Sequence, residues 1–267
     1  MNAVRLYGRY VRASLQSQMQ YAGSFVLTSA GAFLATGVDF VAVWALFARF
    51  RQLAGWHFGD AALFYAVIGV SFALADGLTR GFDVFGPQFV KTGDFDRVLV
   101  RPRSTVLQLL GYEVRATRIG RIAQAMLVGW LGVHLTSVSW TWQAWGTLLF
   151  AVAGGMALFS GILVLQATLA FWTVESLEIV NAVTYGGVEA AQYPLDIYAR
   201  WFRNFLVFVV PLGCVSYFPV ASVLGRADRT GVAAGLLPLA PALGFVFLGA
   251  ALWIWHFGVR HYTSTGS

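Results

Sequence analysis

Long apolar runs separated by short charged segments dominate the chain, and the length of each run names the element it forms. Residues 23–48 hold one formal charge, Asp39. About 20 apolar residues, rising 1.5 Å each, suffice to cross the hydrocarbon of a bilayer. Asp60 opens a second run, residues 61–82, in which Asp76 and Arg80 stand near the far end, where they reach the interface. Between Arg121 and Glu175 no formal charge occurs, over a stretch too long for one crossing. Its middle, Thr136 to Trp145, is rich in Ser, Thr and Trp and predicts a tight hairpin at an aromatic belt between spans 122–135 and 147–172. Residues 173–203 mix Glu175, Glu178, Glu189, Asp196, Arg200 and Arg203 with Gly186, Gly187 and Pro194, and do not read as a conventional span. Residues 205–224 are apolar again but contain Pro211, Gly213 and Pro219, which predicts a fifth span that is broken or ends in a re-entrant piece. Residues 236–257 form the sixth span, followed by Arg260 and His261. The fold class is an all-α integral membrane protein of six transmembrane helices, without an internal repeat.

Ahead of the first run, Val4, Tyr7, Val11 and Leu15 recur at helical spacing, with Arg5, Arg9, Arg12 and Gln16 on the opposite stripe. This predicts an amphipathic interfacial helix over residues 1–22, lying on an anionic membrane surface or orienting the first span as a cationic flank. The six-span domain then occupies residues 23–267. The following apolar run is too long for a signal-peptide core and reads as retained.

Composition agrees. With 267 residues, 58% hydrophobic, 11% charged and a mean hydropathy of +0.68, the chain has more apolar surface than one soluble core buries. The net charge of +6 does not indicate nucleic acid, because the basic residues are segregated. Placing both termini in the cytoplasm puts Arg5, Arg9, Arg12, the group from Arg80 to Arg121, Arg200, Arg203 and Arg260 inside, and leaves Arg49, Arg51, Arg226 and Arg229 outside. The single cysteine, Cys214, excludes an internal disulfide.

Catalytic motifs are missing. Lys91-Thr92 resembles the end of a phosphate-binding loop, but Val90 and Phe85 occupy the positions where that pattern needs glycine, so the chain is not expected to hydrolyse ATP. His57, His134, His256 and His261 are scattered and predict no metal site. No serine nucleophile motif occurs. Asp39 within the first span must face protein or water, because a lipid-facing carboxylate costs at least about 2.5 kcal/mol. It either lines a substrate path or pairs with Arg49 or Arg51. Gln166, with the small residues of the fourth span, either lines a pathway or permits close packing.

The loop at about 83–118 is the most informative segment. Phe89, Phe95, Leu99 and Val100 alternate with Lys91, Asp94, Asp96, Arg97 and Arg101, a pattern suited to docking on another protein. The run Lys-Thr-Gly-Asp-Phe-Asp-Arg-Val-Leu-Val-Arg-Pro from Lys91 to Pro102, Tyr193-Pro194-Leu195, and Pro211-Leu212-Gly213 through Tyr217-Phe218-Pro219 resemble the ABC-2 type permeases of ABC exporters, in a bacterial branch. The resemblance covers the whole chain and implies a permease of the inner membrane that binds no cofactor itself. It implies as partners two ATP-binding subunits carrying ATP and Mg, and a second permease, identical or homologous. It further implies a cytoplasmic coupling helix at about residues 89–99, built from Phe89, Lys91, Asp94, Phe95, Asp96, Arg97 and Leu99 with Arg101 beside it, and a second contact through the N-terminal helix. A secondary carrier or channel remains open on the residues alone, as does a lipid-modifying enzyme using Asp39, Glu175 or Glu178.

Overall fold

The computed structural model describes residues 3–173 and 177–263, with side chains for 5–173 and 184–263. Glu175 and Glu178 therefore lie outside the described residues as far as their chemistry is concerned.

The long elements are helices α1 (Ala3–Met19), α2 (Ala22–Phe50), α3 (Phe58–Leu78), α7 (Ile119–Leu135), α8 (Trp142–Leu169), α9 (Leu177–Ala191) and α13 (Ala242–Arg260). Short helices α4 (Arg80–Asp83), α5 (Phe95–Leu99), α6 (Thr105–Leu110), α10 (Arg200–Asn204), α11 (Leu212–Val215) and α12 (Tyr217–Val223) fill the connections. Among the described residues four helices, α2, α3, α8 and α13, are long and apolar enough to cross a membrane, five if the bent pair 200–223 is counted as one span. At 17 residues, α7 is about 25 Å long.

Burial separates central from peripheral helices. Of the apolar window in α3, 78% is buried, and in α8 67%, whereas α2 reaches 17% and α13 22%. A helix that is apolar all round and buried all round belongs at the centre, and one buried on a single stripe faces lipid with the rest. Glycines set the closest approach. A Cβ on Gly244 of α13 would overlap the carbonyl of Gly154 in α8, and one on Gly154 would overlap that of Pro241. The substitution Gly244→Val is expected to force α13 off α8 and destabilise the protein by about 1–3 kcal/mol. The check is the unfolding midpoint in mild detergent, with Gly249→Ala as control because Gly249 faces open space.

Between α2 and α3 the chain makes a two-residue-turn hairpin, Gln52–Leu53 paired with Trp56–His57, turning at Ala54 (φ 49°) and Gly55 (φ 80°). Positive φ at both turn positions gives the twist such hairpins require. α3 begins directly after it with a capping box, His57 N–H donating to Asp60 Oδ2 at 2.9 Å.

Three features bear on the sequence expectations here. Residues 173–203 hold the helix α9, which starts at the end of the bundle where α8 finishes and, at 15 residues, is not among the helices counted as long enough to cross a membrane. Beyond it, Tyr193 packs with the cluster of Phe40, Phe47, Ala61 and Leu53 beside the hairpin. In α9, Val188 and Ala190 are buried and Glu189 lines a cavity. Second, the pair 200–209 and 212–223 is bent by 75° at its break, as the prolines predict, and both of its ends lie beside the hairpin. At one end Arg203 reaches Asp196, which accepts from Trp56 Nε1, and at the other Arg226 reaches Asp60. Third, Arg203 therefore groups with Arg226 and Arg229, at the opposite end of the bundle from Arg80 and Arg118. Boundaries also shift: α3 stops at Leu78 and α13 starts at Ala242, after the 3₁₀ segment Ala234–Leu239 that holds Pro238.

Candidate functional site: a loop platform and an intramembrane cleft

At the end opposite the hairpin, residues 79–118 form an ordered platform. A π-helical turn, Gly86–Val90, is followed by a turn at Gly93 (φ 72°) and then α5. Phe95 is fully buried, its ring 4.9 Å from Phe85, 5.0 Å from Tyr262 and 5.5 Å from Phe171. Phe85 also meets Trp255 at 5.0 Å, so rings from the loop, the end of α8 and α13 share one core. Phe89 is buried as well, stacked on Phe85. This corrects the docking set drawn from the sequence: Phe89 and Phe95 face inward. Leu99 is 40% exposed and Val100 83%, with Lys91, Arg97 and Arg101 exposed around them. Asp94 pairs with Arg97 at 3.0 Å, and Asp96 is half-buried.

Two elements brace the platform. The 3₁₀ turn Ala116–Arg118 lies against α3: Arg118 Nε is 2.6 Å from Asp76 Oδ2, and Arg115 N–H donates to Gly77 O at 3.0 Å. Burial pushes the Arg118 guanidinium below its ordinary value, with Asp76 opposing that shift. Arg80 pairs with Asp83, whose carboxyl burial raises and Arg80 lowers. The second brace is α1. Ser14 Oγ donates to Val114 O at 3.0 Å, and Gln18 accepts from Ala116 N–H at 3.0 Å. Arg5, Arg9 and Arg12 are exposed, while Tyr7, Tyr10 and Val11 are half-buried.

Within the helical region a cleft of about 130 Å³ is lined by Thr36 and Asp39 of α2, Tyr65 of α3, Arg121 and Gln124 of α7, and Tyr185, Glu189 and Gln192 from α9 and its end. Tyr65 OH donates to Thr36 O at 2.9 Å, bridging α3 to α2. Asp39 thus lies with Glu189 and Arg121 in this cleft, and no ion pair joins it to Arg49 or Arg51. Gln166 is buried in α8 and does not line the cleft. Arg121, Glu189 and Gln192 escaped sequence reasoning, since nothing in the pattern brings α7 and α9 beside α2.

The hairpin end is closed by a cationic clasp. Trp56, fully buried, has Arg226 4.6 Å and Arg229 5.4 Å from its ring centre. Arg226 also pairs with Asp60 at 2.9 Å and donates to Gly55 O at 2.8 Å, and Tyr217 OH joins Trp56 on Asp196 at 2.9 Å. Among the described residues no group of three His, Cys, Asp or Glu is placed to hold a metal.

Over residues 33–266 the chain matches the family model described as ABC-2 family transporter protein. The chain belongs to the ABC-2 transporter family. No curated protein and no solved structure matches it. As an ABC-2 family member it is a multi-pass membrane permease of an ABC transporter, and such permeases work with an ABC ATP-binding protein.

Proposed function

We propose that the chain is the transmembrane half of an ATP-driven exporter of the bacterial inner membrane, moving an amphipathic or polymeric cargo. Six spans are counted as α2, α3, α7, α8, α9 and α13, with residues 200–223 as a re-entrant pair on the outer side and both termini in the cytoplasm. That orientation puts the basic cluster from Arg80 to Arg121, with Arg5, Arg9, Arg12 and Arg260, inside. The observation that carries the reading is the exposed apolar pair Leu99 and Val100, ringed by Lys91, Arg97 and Arg101, on a platform whose aromatic interior makes it rigid. An exposed apolar tip on a stiff base suits insertion into a groove of another protein.

The platform acts as the coupling element. ATP and Mg are held by two partner subunits, and the energy of their closure reaches this chain as a push on Leu99 and Val100. Because Phe95 and Phe85 tie that tip to α13 and the end of α8, and Arg118 ties the same loop to α3, the push tilts these helices together. α1 lies on the membrane surface and braces the loop through Ser14 and Gln18. A second permease, identical or homologous, completes a path that opens outward, a shift of population between two packed states.

The test is co-purification. Tagged protein from its native membrane is expected to retain an ATP-binding subunit in mild detergent, and Leu99→Asp with Val100→Asp is expected to abolish that retention. Membrane insertion and unfolding midpoint should not change, because both residues are exposed. Retention of the ATPase by the double variant would remove the coupling assignment.

A further inference from the structure

The acids of the helical region divide into two kinds. Asp60, Asp76 and Asp196 each have a basic partner within 4 Å. Asp39 and Glu189 have none among the described residues, yet both line the cleft between α2, α7 and α9 and both are exposed on the isolated chain. Asp39 lies about 16 Å along the axis from the end of α2 at Phe50, at a depth where an uncompensated carboxylate is costly. Arg121 lines the same cleft and likewise pairs with no acid within 4 Å among the described residues, and its Nε has no hydrogen-bond partner.

A second observation points to an occupant. Gln192 is 8% exposed, lines the cleft, and its carboxamide has no hydrogen-bond partner among the described residues. Its amide atoms open on the cleft rather than being sealed in packing, so they are free to hydrogen-bond to a molecule that enters it. The rest of the wall is aromatic: Tyr65, Phe72 and Tyr185, with the rings of Phe72 and Tyr185 5.7 Å apart. With both carboxylates ionised, Asp39 and Glu189 against the Arg121 guanidinium give the cleft a single net negative charge. In a medium of low dielectric the ligand that fits is the one that brings this sum to zero, and aromatic faces favour a weakly hydrated organic cation over a metal ion.

Taking the chain as the permease argued above, we propose that this cleft binds the monovalent ammonium group of an amphiphilic cargo, with Asp39 and Glu189 as its counter-ions, the rings of Tyr65 and Tyr185 as its walls, and Gln192 donating to or accepting from a neighbouring polar atom. Arg121 lowers the charge of the site from two to one and thereby selects against dications.

The experiment measures equilibrium binding to the detergent-purified permease complex of three probes of similar size: benzyltrimethylammonium, benzyl alcohol and benzenesulfonate. Saturable binding of the cation alone is expected, weakened at least tenfold by Asp39→Asn or Glu189→Gln. Arg121→Gln, which leaves two net negative charges, should tighten it, and a gain of affinity is a result misfolding does not mimic. Equal binding of benzenesulfonate, no saturable cation binding by the unaltered complex, or unchanged binding in both acid variants overturns the proposal. Co-purified ATPase, scored on the same samples, keeps the two readings apart. Loss of cation binding with the ATPase present overturns the site alone, while cation binding that depends on Asp39 and Glu189 with no ATPase present upholds the site and counts against the permease reading.

Discussion

Replacing Phe95 with alanine should destabilise the protein by about 3–5 kcal/mol, the range for removing a fully enclosed aromatic ring. The ring is fully buried and meets Phe85, Phe171, Trp255 and Tyr262. Its loss opens a void that the rest of the cluster fills poorly, since those rings are fixed from three separate elements. The comparison is Leu99→Ala, four residues along the same short helix. Leu99 is exposed, and a surface truncation of this kind moves stability by no more than about 0.5 kcal/mol. Unfolding midpoints of both variants in detergent check the pair of predictions. A small effect at Phe95 would mean that the platform is not held by the aromatic cluster. The contrast matters for any test of coupling, because a charged residue at position 95 would break the platform itself and lose the ATPase for a trivial reason.

The second large effect is expected at Arg118. Asp76 is 3% exposed, and among the described residues its one basic partner within 4 Å is Arg118. Arg118→Met leaves the carboxylate buried and uncompensated, which costs about 3–5 kcal/mol. The double change Asp76→Asn with Arg118→Met removes both charges and should regain most of that loss, because replacing a whole buried pair is often close to neutral. The cycle is read by unfolding midpoints of the two single variants and the double. Equal losses in Arg118→Met and in the double variant would show that packing of the 115–118 turn, not the charge, holds the loop to α3.

Much of the architecture is legible in the sequence because the bilayer imposes a length. α2, α8 and α13 follow from the apolar runs around Asp39, Gly154 and Trp253, within a few residues at each end. The bend near Pro211 follows from the missing donor of that proline. What the sequence hides is partnership. Apolar spacing identifies Phe89, Phe95, Leu99 and Val100 as residues that bury against something, but whether that something is this chain or another depends on where Phe171 and Tyr262 arrive, more than seventy residues away. The same holds for α9: the sequence shows Glu189 as an isolated acid, and only the fold places it in a cleft with Asp39 and Arg121. Asp39 poses the problem in reverse, since Arg49 and Arg51 are near in sequence and Arg121 is near in space. Neither the hairpin at Ala54-Gly55 nor the clasp around Trp56 was read from the sequence, and the clasp depends on Arg226 and Asp196, which reach it from the far side of the fold.

The segment from Arg200 to Val223 enters and leaves the bundle beside the same hairpin. A segment of this kind adds nothing to the parity of crossings. In the topology proposed above, its two arms can lengthen, shorten or change their bend without altering the side on which α13 emerges. Under the six-span topology proposed above, inserted or deleted residues near Pro211 leave the side of α13 unchanged, whereas loss of α9 as a crossing would invert it.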